Sequence, residues 1–321
     1  MSREREQAAD VVTLGETMVL MRSSRPGPLA HSATLDLGIG GAESNVAIGL
    51  SRLGTDVAWI GRVGADSMGE KVLRELRAEG LRVHGIRDAG APTGLMIKER
   101  RTPDTAKVWY YRSGSAGSRL APADVPGDAV AAAKLLHITG ITPALSDSAA
   151  AAVEYAVDCA RDGGTLVSLD LNYRSALWDR DAAGPVLRKL IAGADIVFAG
   201  DDEAGIALGT MGTPPVLAAG LAELGPSQVI IKLGAAGCLA LIDGAESVQA
   251  AVPVRVVDTV GAGDAFVAGY LAELLQGEGP RIRLETAVRA GAFACLSDGD
   301  WEGLPTRSDL GLLEHTDPVQ R

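Results

Sequence analysis

The turn Gly261-Ala262-Gly263, followed directly by Asp264, is the feature of this sequence best suited to chemistry. These residues lie in the segment Asp258–Asp264, which precedes a stretch with helical periodicity. Glycines let the backbone turn sharply and approach a ligand closely, and a helix start offers unpaired N–H groups and the positive end of the helix dipole. The backbone amides of Gly261, Ala262 and Gly263 are therefore predicted to form an anion hole for a transferring phosphoryl group.

Asp264 would lie at the start of that helix, beside the anion hole. A carboxylate at this point can accept the proton of a substrate hydroxyl while the oxygen attacks phosphorus, so we expect Asp264 to be the catalytic base. The alternative is an ordinary strand–turn–helix junction in which Asp264 is only the N-cap. The sequence has no Walker GxxxxGK motif and no GxGxxG after its first predicted strand, which disfavours a P-loop kinase and a dinucleotide-dependent oxidoreductase.

Apolar segments that alternate with helical periodicity would position this turn. They predict an α/β fold with a mostly parallel sheet covered by helices on both faces. The predicted strands are residues 11–15, 57–60, 135–138, 166–170, 196–199, 229–233, 238–242 and 252–257, and the predicted helices are residues 45–53, 68–79, 148–161, 181–191, 215–224, 264–275 and 284–297. Extended segments near 16–37 and 93–116 would form a small β lid, and we expect a single domain spanning 1–321.

Composition limits the class of protein. A chain of 321 residues with 47% hydrophobic content can bury a sizeable core, and a net charge of -11 argues against binding nucleic acid or anionic membranes. The three cysteines, Cys159, Cys238 and Cys295, are far apart and predict neither a disulfide framework nor a zinc site. The N-terminus does not resemble a secretory signal and no apolar stretch is long enough to span a bilayer, so we expect a soluble cytoplasmic protein.

The glycine turn resembles one signature of the ribokinase-like (PfkB) carbohydrate kinases. Their other signature is matched near the N-terminus, in residues 40–47, 53–54 and 61–69. The resemblance extends from Val11 to about Pro305 and implies a ribokinase-like fold, with a central mostly parallel sheet flanked by helices and a small β lid. It also implies that ATP phosphorylates a sugar hydroxyl with Mg²⁺ as cofactor. It leaves open a monovalent cation and a homo-oligomer formed through the lid.

Three further segments, 107–116, 137–145 and 169–174, resemble 2-keto-3-deoxygluconate kinases in particular. This resemblance implies that one set of residues contacts the sugar acid: Gly41, Ala42, Glu43, Ser44, Asn45, Tyr110, Tyr111, Arg112, Arg174 and Asp300. It implies that a second set binds the nucleotide and its phosphates: Asn172, Tyr173, Arg174, Lys232, Gly234, Gly237, Gly261 and Gly263.

Two positions depart from that pattern. Met96 stands where the subfamily often has a tyrosine, which removes a hydroxyl from the expected sugar site. Gly200 replaces the asparagine of a metal-associated Asn-x-x-Glu motif, whereas Glu203 is retained. Because Mg²⁺ takes few carboxylates together with waters and phosphates, the resemblance still implies a contact of Glu203 with Mg²⁺ through water.

The chemistry of a keto-deoxy acid agrees with this resemblance. Such a molecule carries one carboxylate and several hydroxyls, and the planar fork of Arg112 suits the carboxylate. Tyr110 and Tyr111 cannot both face the sugar, because neighbouring residues of a strand point to opposite faces. Tyr110 and Tyr111 could instead be ordinary strand packing, with Arg112 a solvated charge at the sheet edge. Arg174 could instead form a structural ion pair with Asp170.

Other roles and functions stay open. A structural role is favoured for Lys232, and Asp300 could simply end a turn. A kinase of the same family that acts on a neutral sugar, such as fructose or ribose, would have no need of Arg112 at the far end of the sugar. A non-catalytic sensor of sugar acids or nucleotides would have no need of Asp264.

Overall fold

Two β-sheets organise the described parts of the chain, residues 8–102 and 105–314 of the computed structural model. In chain order the strands are Val11–Leu14 (β1), Met18–Arg22 (β2), Asp36–Gly40 (β3), Val57–Gly64 (β4), Arg82–Asp88 (β5), Leu95–Thr102 (β6), Thr105–Tyr111 (β7), Leu135–Thr139 (β8), Leu166–Asp170 (β9), Ile196–Gly200 (β10), Gln228–Lys232 (β11), Cys238–Ile242 (β12) and Ala245–Gln249 (β13). The α-helices are Ala42–Arg52 (α1), Ser67–Ala78 (α2), Gly127–Ala131 (α3), Asp147–Gly163 (α4), Arg180–Ala192 (α5), Asp201–Leu208 (α6), Pro214–Ala222 (α7), Ala262–Leu275 (α8), Pro280–Ala294 (α9) and Arg307–Leu310 (α10).

The larger sheet has the strand order β13-β12-β11-β10-β9-β8-β1-β4-β5. Its strands run parallel from β11 to β5, and β12 and β13 add an antiparallel edge. Alternate residues of a strand point to opposite faces, so Val11 and Ile196 pack into one hydrophobic core with α1, α2, α8 and α9. Val12 and Val197 pack into a second core with α4 to α7. Helices therefore cover both faces, which confirms the predicted α/β fold.

The smaller sheet, with the order β3-β2-β6-β7, confirms the predicted β lid. β2 lies in the first predicted lid segment, β3 begins at its end and continues beyond it to Gly40, and β6 and β7 come from the second segment. β2 is parallel to β6 and the other pairs are antiparallel. Met18, Leu20 and Met96 form a small apolar cluster on one face, against which Val108 packs. We call this face the inner face of the lid.

The predicted strand at residues 252–257 is wrong, because that segment forms no strand pairing in the described structure. The last strand of the larger sheet is β13 instead. Asp243 and Gly244, with φ of 50° and 81°, reverse the chain between β12 and β13 in a two-residue hairpin. Asp and Gly adopt such conformations more readily than most residues. The sheet also contains β5 at its other edge, whose polar residues, including Arg82 and Arg87, hide a strand from a search for apolar runs.

The predicted helices all form, with shifted ends. The largest shifts are in α1, which begins at Ala42 rather than at residue 45, and in α9, which begins at Pro280 rather than at residue 284. Proline is well suited to the first turn of a helix because its missing N–H would have no partner there. None of the helices in the described parts of the chain has the length and apolar character needed to cross a membrane.

Candidate active site

A cavity of about 970 Å³ lies between the carboxyl ends of the parallel strands and the inner face of the lid. Asp170, Gly200 and Lys232 line it from the ends of β9, β10 and β11, and Met96 and Val108 line it from the lid. Open α/β sheets bind ligands at this edge. Most of the predicted site residues line this cavity: Gly41, Ala42, Glu43, Asn45, Tyr110, Arg112, Asn172, Tyr173, Arg174, Glu203, Lys232, Gly261, Gly263, Asp264 and Asp300.

The glycine turn opens α8 as the sequence predicts. Gly261 is the N-cap, with φ of 77°, and α8 begins at Ala262. A Cβ on Gly261 would lie 1.9 Å from the carbonyl oxygen of Asp300, so only glycine fits. Gly263 already belongs to the helix, and a Cβ there would have the Nζ of Lys232, at 3.8 Å, as its nearest neighbour. The turn thus presents the open N-terminus of α8 to the cavity.

Asp264 is the third residue of α8 and is only 8% exposed. Because Gly261 is the N-cap and no side chain caps this helix end, the alternative of Asp264 as N-cap is not supported. Its Oδ2 instead accepts a hydrogen bond of 2.8 Å from Nδ2 of Asn45, on α1. Burial, together with the nearby charge of Asp170, raises the pKa of Asp264 to about 7, although the bond from Asn45 and the cations Arg174 and Lys232 act in the opposite direction.

Lys232, at the end of β11, donates a hydrogen bond of 2.6 Å to Oδ1 of Asp170, at the end of β9, across the end of the intervening strand β10. Burial disfavours the charged ammonium, but Asp170, Glu203 and Asp264 outweigh burial and raise the pKa of Lys232. Asp170 thus pairs with Lys232, within the described residues, rather than with Arg174. Arg174 is exposed on the cavity wall.

Glu203 joins the ends of two strands on the same side of the cavity. Its Oε2 accepts a hydrogen bond of 2.7 Å from the amide of Gly200, and its Oε1 accepts one of 3.0 Å from the amide of Tyr173. The chain reaches Tyr173 through Asn172, whose φ of 42° is left-handed. Gly234 and Gly237, with φ of 55° and 98°, form the tight turn from β11 into β12. These two glycines and Ala262 lie beside the cavity rather than on its wall.

The carboxylates around Lys232 are too sparse to chelate a metal by themselves. Across residues 8–102 and 105–314, no group of three or more His, Cys, Asp or Glu is arranged to hold a metal ion. Glu203 and Asp170 nevertheless line the cavity beside Lys232. One or two carboxylates, supplemented by phosphate oxygens and waters, are a site that Mg²⁺ accepts.

The N-terminal part of α1 brings polar groups to the other end of the cavity. Glu43 is buried and accepts hydrogen bonds of 2.8 Å from Thr139 and 2.6 Å from Thr142, and burial raises its pKa. Ser44 turns its hydroxyl back to the carbonyl of Gly41, at 2.9 Å, and so stabilises the loop rather than the cavity wall. Asn45 leaves its Oδ1 buried and without a hydrogen-bond partner in the described structure.

Residues from the lid and from the C-terminal loop complete this end. Tyr110 lines the cavity, whereas Tyr111 points to the opposite face of β7 and is 62% exposed. Because the two side chains diverge, the structure places Tyr111 away from the predicted sugar site. Arg112 lies against Glu16, with 2.8 Å between Nε and Oε2, and against the ring of Tyr110. Met96 is directly opposite Tyr110 and is buried.

Asp300 is a further buried carboxylic acid on the cavity wall, 8% exposed. Burial raises its pKa to about 6; Lys98 and Arg22 lower the pKa, while Glu302 and Asp258 raise it. Its Oδ1 has no hydrogen-bond partner in the described structure. Buried oxygens without a hydrogen-bond partner are rare in folded proteins. The free Oδ1 atoms of Asp300 and Asn45 are therefore available to accept hydrogen bonds from the hydroxyls of a ligand.

Three charged residues of the site were not among the predicted ones: Glu16, Asp170 and Lys98. Glu16 follows the buried strand β1, and Asp170 ends the buried strand β9. A charged residue at the end of an apolar run is a signal that can be found in the sequence. Lys98 lies in β6 among other charged residues and has no such signal. Its buried position becomes evident only once the lid is folded over the larger sheet.

Comparisons with known proteins agree with this geometry. The model for the pfkB family of carbohydrate kinases matches residues 8–307. A 2-dehydro-3-deoxygluconokinase of Thermoproteus tenax is 38% identical over 306 residues, covering 94% of this chain and 93% of that protein, and one of Bacillus subtilis is 37% identical over 306 residues, covering 94% of each. The solved 2-dehydro-3-deoxygluconokinase of Thermotoga maritima matches with a TM-score of 0.87 and 26% identity, covering 95% of this chain and 99% of that one. A sugar kinase of Pyrococcus horikoshii, solved in complex with ATP, matches with a TM-score of 0.81 and 25% identity, covering 95% and 98%.

Proposed function

The chain belongs to the pfkB family of carbohydrate kinases, and we propose that it transfers the γ-phosphoryl group of ATP to the 6-hydroxyl of 2-keto-3-deoxy-D-gluconate, also named 2-dehydro-3-deoxygluconate. The observation that carries the proposal is the buried Asp264, a weak acid held beside the glycine turn at a helix start. Two relatives of that name, 38% and 37% identical, support the choice of sugar acid. The related sugar kinase solved with ATP supports the donor.

In the proposed reaction, Asp264 accepts the proton of the 6-hydroxyl. A pKa of about 7 makes its carboxylate a stronger base than an ordinary aspartate. The hydroxyl oxygen forms a bond to the γ-phosphorus while the bond from that phosphorus to the β-phosphate oxygen breaks, and ADP leaves. The amides of residues 261–263 and the ammonium of Lys232 stabilise the charge of the transferring group.

The nucleotide phosphates would lie between α8 and the ends of β9 to β11, where Asn172, Arg174 and Lys232 line the cavity. Mg²⁺ on the phosphates would neutralise part of their charge. Glu203 would hold it through water, because each carboxylate oxygen keeps a lone pair after accepting its backbone hydrogen bond. A monovalent cation remains an expectation of the family resemblance alone.

Arg112 is the proposed partner of the substrate carboxylate. Its Nε and Nη2 face Glu16, whereas Nη1 has no partner among the described residues. Glu16 would therefore orient the guanidinium and leave further N–H groups for the substrate. The unpartnered oxygens of Asn45 and Asp300 would accept hydrogen bonds from the sugar hydroxyls.

Changing Arg112 to leucine tests this assignment. The variant loses a charge-assisted contact worth about 1.5–3 kcal/mol, so kcat/KM for 2-keto-3-deoxygluconate should fall by about 10–150-fold. The KM for ATP should change little, because the nucleotide lies at the other end of the cavity. The measurement is a coupled kinase assay with 2-keto-3-deoxygluconate and with fructose, on the wild type and the variant.

Arg112→Lys is the matched control, since it keeps the charge but loses the planar fork, and its activity on the acid should lie between those of the wild type and Arg112→Leu. Equal losses on the acid and on fructose would mean that Arg112 supports the lid rather than binding the carboxylate. A wild type that prefers fructose would overturn the substrate assignment and favour a neutral-sugar kinase.

We also propose that the chain self-associates through the outer face of the lid. Trp109 and Tyr111, which are 41% and 62% exposed, share this face with Leu37, which is 50% exposed. Exposed apolar patches of this kind are typical of protein interfaces. Sedimentation of the wild type and of Tyr111→Lys at the same concentration should show a larger species only for the wild type. Identical sedimentation of both would contradict this assembly.

We also propose that the protein is located in the cytoplasm. The cysteines support it, because Cys159, Cys238 and Cys295 are all free thiols. Reducing compartments keep thiols in this state.

A further inference from the structure

Three cations on the inner face of the lid each pair with a carboxylate of the segments around the glycine turn. Arg22 on β2 pairs with Glu302 at 3.0 Å, Arg100 on β6 pairs with Asp298 at 3.1 Å, and Lys98 on β6 pairs with Asp258. Arg22 and Lys98 are register partners, and Lys98 and Arg100 are two residues apart on one strand. One face of the lid is thus joined to the body of the protein by charge.

The pair between Lys98 and Asp258 differs from the other two in its burial. Its side chains are 10% and 15% exposed, whereas those of Arg22 and Glu302 are 28% and 29% exposed and Asp298 is 54% exposed. Exposed ion pairs contribute little to stability. When a buried pair loses one partner, the other charge is left uncompensated in a poorly solvated place, which strongly destabilises the folded protein.

Asp258 also contacts the turn itself. Its Oδ2 accepts from Lys98, and its Oδ1 accepts a hydrogen bond of 3.2 Å from the amide of Val260. Val260 is followed directly by Gly261, the N-cap of α8. Asp258 therefore connects a strand of the lid to the residue that leads into the proposed anion hole.

Lys98 also separates two cavities. A second cavity, of about 520 Å³, continues along the inner face of the lid, and Lys98, Val108, Thr259 and Val260 line both cavities. The ion pair thus lies in the wall between the proposed sugar site and this second space. Without the pair, the lid strand and the turn would be free to separate at this point.

We propose that Lys98 is a positioning residue, which holds Asp258 and thereby sets the geometry of the glycine turn when the lid covers the sugar. This inference rests on the proposed function, in which the glycine turn stabilises the transferring phosphoryl group. Misplacement of reacting groups by about 1 Å can cost about 10²-fold in rate. The effect is expected mainly in kcat, because the turn is proposed to hold the transferring phosphoryl group, whereas Asn172, Arg174 and Lys232 on the cavity wall would bind the rest of the nucleotide.

Four variants test this proposal: Lys98→Met, Asp258→Asn, the double variant, and Asp298→Asn as the matched control. Lys98→Met and Asp258→Asn should each lower kcat by about 10–100-fold with little change in the KM for ATP. The double variant should be no worse than the worse single variant, because both changes break one interaction. Asp298→Asn removes the charge of Asp298 from its more exposed pair with Arg100, which lies two residues after Lys98 on β6. This variant should keep wild-type kcat.

Melting temperatures and a conservative variant separate positioning from folding. The double variant buries no unpaired charge, so it is expected to fold even if a single variant does not, and Lys98→Arg should recover part of the lost kcat. Losses that multiply in the double variant, an equal loss in Asp298→Asn, or a kcat unchanged in Lys98→Met would each overturn the proposal. Each variant is compared with the wild type on the sugar that the wild type uses best, so a wrong substrate assignment leaves this comparison valid.

Discussion

Replacing Asp264 by asparagine should lower kcat by about 10²–10⁴-fold, because an amide cannot take up the proton of the attacking hydroxyl. ATP should still bind, since Lys232 and the amides of residues 261–263 are unchanged. The asparagine keeps the size of the side chain and can still accept the hydrogen bond from Asn45. The measurements are kcat by a coupled assay and ATP affinity by calorimetry on the same preparation.

Asp300→Asn is the matched control, because Asp300 is also buried on the cavity wall and carries a raised pKa. It should raise the KM for the sugar acid more than it lowers kcat, since its proposed role is to bind a hydroxyl. A folded Asp264→Asn enzyme with near wild-type kcat would remove Asp264 from the mechanism.

The raised pKa of Asp264 adds a pH dependence to this expectation. Asp264 titrates near 7 in the folded chain and near 3.9 in an unfolded one, so the folded state binds this proton more tightly. Its ionisation therefore costs stability progressively as the pH rises from about 4 to about 7, and fully above that range. Asp264→Asn should melt at a higher temperature than the wild type at pH 8 and at a similar temperature at pH 4. Because Asp264 is proposed to act as a base and would do so only when ionised, wild-type kcat/KM should fall below about pH 7.

The glycine turn and Asp264 could be predicted from the sequence because their geometry is local. Gly261 takes a left-handed φ and Asp264 lies three residues further on, within the first turn of α8. Both can be recognised from the residue types of one short segment. The same holds for the alternation of strands and helices, since the spacing of apolar residues within each segment indicates its type.

The partners of these residues could not be predicted, because the fold brings them together from distant segments. Asn45 and Asp264 are 219 positions apart, and Arg112 and Glu16 are 96 apart. Each of these contacts depends on the order of strands in the sheet or on the closure of the lid. Residue types alone leave an arginine such as Arg112 free to bind a substrate carboxylate, a protein carboxylate or both.

The wrong strand at residues 252–257 has a different origin. A run of valines suggested a strand, although the Asp243-Gly244 dipeptide already predicts that the chain turns back directly after β12. Valine favours strands only where a neighbouring strand is available. Here β13 already occupies the edge next to β12, and Val256 and Val257 stay 55% and 40% exposed beside the glycine turn.

A valine in place of Gly263 should abolish most activity, lowering kcat/KM by about 10²–10³-fold, the range seen when an anion hole loses a donor. Gly263 lies on the cavity wall within the first turn of α8, where the phosphoryl group is proposed to bind. A Cβ there meets only the Nζ of Lys232, at 3.8 Å, so the protein itself has room for a side chain. The side chain would occupy the space of the ligand, and the melting temperature should therefore change little.

Gly261→Ala is the matched control and should behave differently. Its φ of 77° costs a residue with a Cβ about 1–2 kcal/mol, and that Cβ would lie 1.9 Å from the carbonyl oxygen of Asp300, so the backbone must shift. Gly261→Ala should therefore lose stability and activity together, whereas Gly263→Val should lose activity alone. If the melting temperature of Gly263→Val fell in proportion to its activity, both glycines would be structural and the anion hole would lose its support. Comparing the two variants would thus show that Gly261 is required by the packing of the protein, whereas Gly263 is required to leave room for the ligand.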